Sequence, residues 1–399
     1  MNKKTIDDII DRFPGKRVLV RVDFNVPISD GIVGDDTRLS AAIPTIKRLS
    51  DTGAKVILVS HLGRPKSGPD PKYSLRPVAG RFSELIGKPV AFSEDCIGLK
   101  PENTVRAMKD GDVCLLENVR FHAAEERNDP EFARRMSALA DIYVNDAFGS
   151  AHRAHASTEG VTKFLRTSVA GYLMEKELDF LGRLLSNPKR PLVAVLGGAK
   201  VSGKLEVLKN LMKTVDVFLI GGGMAFTFLK AQGKPIGKSL VENDLVDTAR
   251  LILHDANKNG RRIILPWDCV VAKDLSPDSQ AHIVAVESIP DDMAGFDIGP
   301  HAIKDFDEAL QAAGTIFWNG PMGVFETPPY DEGTKAVAHS VAHATGLGAV
   351  SVVGGGDSVA AVHQAGMADH ISHISTGGGA ALEFLEGKTL PGVAALNDR

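Results

Sequence analysis

Short apolar runs rich in Val, Ile and Leu recur along the chain at 17–22, 55–60, 113–116, 142–145, 192–196, 217–220, 263–265, 315–318 and 349–353. Their length is that of buried strands, and turn-forming or polar residues bound most of them. Between many of them the apolar spacing changes to that of a helix. Residues 37–50, for example, put Leu39, Ala42, Ile43, Ile46 and Leu49 on one face before Gly53 stops the pattern. Strands alternating with helices predict an α/β protein whose parallel sheets are covered on both faces. No low-complexity tract or short repeat interrupts this alternation.

At 399 residues the chain is long enough for two or three domains. Lys and Arg number 46 against 50 Asp and Glu, a formal charge of -4, which excludes a chain built as a whole for nucleic acid or an anionic membrane. The three cysteines, Cys96, Cys114 and Cys269, are far apart and form no CxxC pair, so a disulfide scaffold or zinc ribbon is not expected. The N-terminus turns acidic at Asp7-Asp8 and no run of 18 apolar residues occurs, so the expected location is cytoplasmic. Composition changes near residue 190. Of 21 arginines 17 lie in 1–190, whereas 26 of 40 glycines lie beyond it. Arginine suits small anions and glycine lets backbone approach phosphates, so the halves are expected to bind different ligands. Gly182 and residues 186–191 are the expected linker.

Ligands of open α/β sheets sit at the carboxyl ends of strands. In the first half those ends deliver Asp23-Phe24-Asn25, His61-Leu62-Gly63-Arg64, Glu117 to Arg120, and Asp146 followed by Arg153, with Arg38 opening the helix after the first strand. Several arginines and a histidine at one edge would hold a phosphate, a carboxylate or both. Asp23 and Asn25 could hold a hydroxyl between them.

In the second half, Gly198 to Lys204 reads GxxxxGK but continues with Leu205, where a P-loop has its metal-binding hydroxyl. This is either a coincidental match or a lysine-bearing phosphate loop whose metal ligand lies elsewhere. Three glycine triplets follow, at 221–223, 354–356 and 377–379, and each is expected to place bare backbone N–H groups at a strand end or helix start, where phosphate is favoured. Asp357 suits a metal and Ser358 a helix cap. Asn319 could reach a phosphate and Glu326 a ribose, a structural turn being the competing reading. A dinucleotide fingerprint fails, because from Gly221 the pattern is GxGxxF with Phe226 in place of the third glycine.

The segments RVDFNVP (21–27), SHLGRP (60–65), ENVRF (117–121), NDAFGSAHRAHAS (145–157), GGAKVSGK (197–204), WNGPMGVFE (318–326), GGGDS (354–358) and STGGGA (375–380) together resemble the phosphoglycerate kinase family, in order and over almost the whole chain. The length fits the family's shorter bacterial form. The resemblance implies two doubly wound, Rossmann-like parallel-sheet lobes facing each other across a hinged cleft. Residues 1–185 would form the phosphoglycerate lobe, 186–386 the nucleotide lobe, and about 387–399 would return to the first. It implies reversible phosphoryl transfer between 1,3-bisphosphoglycerate and Mg-ADP by a monomer. Asp23, Phe24 and Asn25 would line the glycerate. His61, Leu62, Gly63, Arg64, Arg120 and Arg153 would surround the phosphate that stays, and Arg38 the reacting carboxyl end. Lys200 and the N–H groups of Gly378 and Gly379 would follow the migrating phosphoryl group. Lys204, Gly222, Asn319, Glu326, Gly355, Gly356, Asp357 and Ser358 would hold the nucleotide, with Asp357 on the magnesium ion. Ala381 and His122 depart from residues common in relatives, at positions given no chemical role.

Overall fold

The computed structural model describes residues 2–66, 68–276 and 279–399, and it divides into two compact units. The first unit comprises Met1–Asp179 and Thr389–Arg399. Its sheet has six parallel strands in the spatial order Val90–Ser93, Val113–Leu116, Lys55–Val59, Arg17–Arg21, Ile142–Asn145, Ser168–Ala170. Alternate residues explain why these runs are apolar throughout. Val18, Val20, Val56, Leu58, Val113 and Leu115 join a core with Leu39, Ile46 and Phe82 from helices. The intervening Leu19, Ile57 and Cys114 are equally buried on the other face. Helix Thr37–Asp51 matches the expected span to one residue. Register places Arg21 beside Val59 and Asn145, so the loops after these strands leave from one edge.

The last residues return to this unit. The Asn397 N–H donates to the Ser168 carbonyl at 2.9 Å, Gly392 N–H to the Ala151 carbonyl at 2.9 Å, and Lys3 pairs with Asp398 at 2.8 Å.

The second unit is Phe180–Lys388. Its six-stranded parallel sheet runs Arg262–Ile264, Val217–Ile220, Leu192–Leu196, Thr315–Asn319, Val350–Val353, His373–Ile374. In chain order this is 3-2-1-4-5-6, the doubly wound arrangement, and its reversal falls between Leu192–Leu196 and Thr315–Asn319. A three-stranded antiparallel sheet, Asp268–Ala272 flanked by His282–Ala285 and Ala294–Ile298, is a feature that the apolar runs did not reveal. Its outer strands are only partly buried, alternating inside and outside at His282–Ala285, so no continuous apolar run marks them, whereas the central Asp268–Ala272 is mostly buried. The expected linker also differs from what is found. Gly182 and Ser186 lie in helix Tyr172–Ser186, which runs through the division between Asp179 and Phe180. Among the described residues no helix is long and apolar enough to cross a membrane.

Candidate active site

In the first unit the polar loops converge on His61. Its pKa lies well below the ordinary imidazole value, chiefly because the ring is buried and then because Arg21, Arg120, Arg38 and Arg153 all act on it. A neutral imidazole thus sits among four guanidiniums. Asp23 meets Arg38 at 3.1 Å and stands 3.9 Å from His61 Nδ1. Arg38 also donates to the Asn25 carbonyl at 3.3 Å, while the Asn25 side chain accepts from Gly63 N–H at 2.8 Å. Arg120 donates to the Gly63 carbonyl at 2.7 Å and pairs with Glu126 at 3.1 Å. Gly63 has φ +60°, and a Cβ there would strike the Tyr73 ring at 2.4 Å, so this turn needs glycine twice over. Arg153 is half-buried and Arg64 exposed.

Two of the expected contact residues point elsewhere. Phe24 is wholly buried with its ring 5.0 Å from that of Phe82, and Leu62 is also buried, so their side chains belong to the core. Their backbones still shape the edge, since Phe24 N–H donates to Ser60 Oγ at 2.9 Å and Leu62 N–H to Asn118 Oδ1 at 3.2 Å.

Arg21 and His155 were not anticipated as members of this group. Arg21 is the last residue of its strand and fully buried. It donates to Ser157 Oγ at 2.9 Å and to the Val22 carbonyl, and lies 3.1 Å from His61 Nδ1. Ser157 passes the contact on to the buried Glu125, giving its hydroxyl at 2.6 Å and its N–H at 2.9 Å. A buried guanidinium is tolerable only with such partners. The signal available in the sequence was an arginine at the carboxyl end of a strand whose three central residues are apolar. His155 has its pKa lowered to about 4 by burial and by Arg120, Arg21 and Arg153, so it joins the same electrostatic group.

In the second unit the glycine loops first serve each other. Gly197 N–H donates to the Asn319 carbonyl, Gly198 N–H to Pro321, Gly221 N–H to Leu196 and Gly222 N–H to Met322, at 2.8–3.0 Å. A Cβ on Gly197 would lie 2.1 Å from the Pro321 carbonyl, and one on Gly222 2.6 Å from Gly198 N. The expectation that Gly222 offers a free N–H is therefore corrected: glycine is required there because three loops interlock at the sheet's switch point. Gly355 and Gly378 behave differently. They have φ of +93° and +50° and stand just before helices Gly356–Gln364 and Gly379–Leu385. Ser358 is not the cap; Gly355 is, and the buried Ser358 hydroxyl accepts from Gly320 N–H. Asn319 is likewise buried, its amide donating to the Gly354 carbonyl at 2.7 Å.

Around these loops lies a cavity of about 550 Å³ lined by Gly198, Gly222, Phe226, Leu240, Phe296, Glu326 and Asp357, among others. Its apolar wall comes partly from the unforeseen antiparallel sheet. Phe226, in place of a fingerprint glycine, presses its ring on Gly295, where a Cβ would lie 2.1 Å away. Glu326 and Asp357 are exposed on the rim. Lys204 precedes helix Leu205–Leu211 with Nζ 3.4 Å from the Asn319 carbonyl; burial lowers its pKa to about 8, against the opposing charge of Asp357. Lys200 is exposed on the same loop.

A family model described as phosphoglycerate kinase matches residues 6–388. The chain is 55% identical over 398 residues to "Phosphoglycerate kinase" of Chloroherpeton thalassium, covering 100% of both chains. It is 56% identical over 385 residues to "Phosphoglycerate kinase, cytosolic" of Triticum aestivum, covering 96% of each. The solved structure of phosphoglycerate kinase from Coxiella burnetii superposes with a TM-score of 0.90 at 42% identity, covering 98% of each chain.

Proposed function

The chain belongs to the phosphoglycerate kinase family, and from that premise we propose which of its residues carry each part of the reaction. The activity is reversible phosphoryl transfer between 1,3-bisphosphoglycerate and ADP, the ATP-generating step of glycolysis. The observation that carries the assignment of roles is the gathering of arginines around the buried His61 at one sheet edge, with Arg21 3.1 Å from its ring, Arg38 on the neighbouring Asp23 and Arg120 on the Gly63 carbonyl. Such a group is built for a dianionic phosphate next to a carboxylate. Arg120 and Arg153, with the exposed Arg64 at the mouth, hold the phosphate that is not transferred. Asp23 and Asn25 orient the glycerate. Arg38, tied to Asp23, faces the carboxyl end.

The nucleotide occupies the second unit's cavity, its base against Phe226, Leu240 and Phe296 and its ribose beside Glu326. Lys204 meets its phosphates. Asp357 fits the magnesium ion that accompanies the nucleotide, being an exposed hard-oxygen donor in the first turn of a helix at the cavity rim. When bound, that ion supplies charge neutralisation on the phosphate oxygens. Lys200 and the N–H groups of Gly378 and Gly379 stabilise the equatorial oxygens of the migrating group in an in-line transfer. The leaving carboxylate is a weak base, so the site needs no general acid. Each substrate is held by a different unit, and turnover requires both to be loaded. We extend the reading to a cytoplasmic monomer, in keeping with the wheat relative named cytosolic.

The test combines the protein with magnesium ATP and 3-phosphoglycerate and traps acyl phosphate as its hydroxamate. Product that needs both substrates and disappears in Lys200→Ala supports the assignment. Full activity in that variant removes Lys200 from the chemistry.

A further inference from the structure

In the first unit, apart from the residues assigned to catalysis, two neighbouring loops bring together three different ligand types. Asp95 and Cys96 follow strand Val90–Ser93, and His122 follows the turn Val119–Phe121. A carboxylate oxygen, the thiol sulfur and an imidazole nitrogen from these residues all lie within 4.8 Å of one another, and no other such group of three occurs among the described residues. We propose that Asp95, Cys96 and His122 form a binding site for a single thiophilic divalent cation of the zinc class.

The donor set selects the ion. Thiolate and imidazole suit zinc and disfavour magnesium, and three protein ligands leave a fourth tetrahedral position for water. The ligands are also already oriented. Asp95 Oδ1 accepts from the Cys96 N–H at 2.7 Å and meets His122 Nε2 at 2.8 Å, while Phe132 packs 5.3 Å from the imidazole ring. Ligand atoms of a tetrahedral site stand roughly 3.3–3.7 Å apart, so the 2.8 Å Asp95–His122 pair opens slightly as the ion enters between it and the sulfur. Asp95 and His122 are about one-third exposed, at 37% and 32%, and provide the entry path, whereas Cys96 is enclosed.

The local field favours a cation as well. The nearby Arg76 and Lys100 are both taken up by Glu94, at 2.9 and 3.1 Å. Binding forms the metal–sulfur bond as the Cys96 thiol gives up one proton to buffer. His122 lies two residues beyond Arg120, so an ion here would tie the loop after Val90–Ser93 to the turn that carries a phosphate-binding arginine.

The experiment titrates zinc, and separately cobalt(II), into nucleotide-free protein by calorimetry in two buffers and by visible spectroscopy. One equivalent should bind with release of one proton, the cobalt complex should show a thiolate-to-metal charge-transfer band, and zinc should raise the thermal midpoint. Asp95→Asn, His122→Asn and Cys96→Ser should each weaken binding by more than about tenfold, since each removes a direct ligand. His254→Asn, which alters an exposed histidine of the second unit, should bind as the parent does. The two half-exposed substitutions keep the test open if Cys96→Ser does not fold. Absence of binding, absence of the charge-transfer band, or unchanged binding in Asp95→Asn and His122→Asn would overturn the proposal. None of these readouts depends on the kinase assignment.

Discussion

Lys204 is held just ahead of a helix with its ammonium half-buried, and its pKa falls to about 8 because burial outweighs the attraction of Asp357. Below pH 8 it is charged and can meet phosphate; above it the charge is lost. The KM for ATP should therefore rise as pH increases from 8 to 9.5, whereas in Lys204→Gln it should be high and flat. A loss of roughly 10- to 100-fold in affinity is expected, the scale of a hydrogen bond to a charged group. A flat profile in the parent protein would remove Lys204 from phosphate binding. The arginines divide by position. Arg38 is tied to Asp23 beside the reacting end, so Arg38→Ala should lower kcat by at least ~100-fold. Arg64 is exposed at the mouth, so Arg64→Ala should mainly weaken 3-phosphoglycerate binding. Steady-state kinetics separates the two, and an intact kcat in Arg38→Ala with only a raised KM would reverse the first assignment.

At the scale of elements, the nucleotide cavity depends on loops locked to one another and to the antiparallel sheet. Asp297, in strand Ala294–Ile298, is buried and accepts N–H bonds from Gly333 at 2.7 Å and Ile298 at 2.9 Å. It also packs where a Cβ on Gly323 would lie 2.2 Å from its oxygen, so it clamps both ends of the segment that carries Glu326. Burial raises its pKa to about 8, with Asp331 and Glu332 adding to the shift. The folded state thus holds a proton that the unfolded chain releases near pH 4. This contribution to stability is complete below about pH 4 and is lost as pH rises through 8. Thermal midpoints measured from pH 5 to 9 should fall in the parent protein and be flatter in Asp297→Asn. Parallel curves would show that Asp297 is not the titrating group.

For the molecule as a whole, the C-terminal eleven residues are part of the first unit although they follow the second in the chain. Leu390, Val393 and Leu396 are buried, and Arg399 pairs with Asp8 at 2.8 Å. Ending the chain after Lys388 exposes the sites these side chains fill, a loss of roughly 6 kcal/mol at about 2 kcal/mol for each buried apolar side chain. The truncated protein should show a lower denaturation midpoint and weakened 3-phosphoglycerate binding while ATP binding persists. Equal loss of both would contradict the division of ligands between the units.

The apolar runs made most of the parallel strands legible, because a strand buried on both faces must be apolar at every position; Val18 to Val20 and Val113 to Leu116 are such runs. The family motifs made the candidate residues legible, since Arg38, His61, Arg120, Lys204 and Asp357 lie within or near stretches that resist chance matching. The outer strands of the antiparallel sheet were hidden because they are only partly buried, His282–Ala285 alternating between wall and solvent. Spacing along the chain also could not show what a side chain faces. Phe24 and Leu62 went into the core, the Gly222 N–H was consumed by Met322, and Ser358 turned its hydroxyl to Gly320. Nor could it show that Arg21 lies under His61, or that Asp95, Cys96 and His122 meet. By itself the sequence determined the fold class, the family and the residue types available for chemistry, because those follow from local pattern and composition. Only the tertiary structure decided which of those groups are buried, paired or left to meet a ligand, because desolvation and hydrogen-bond satisfaction depend on neighbours brought together from distant parts of the chain.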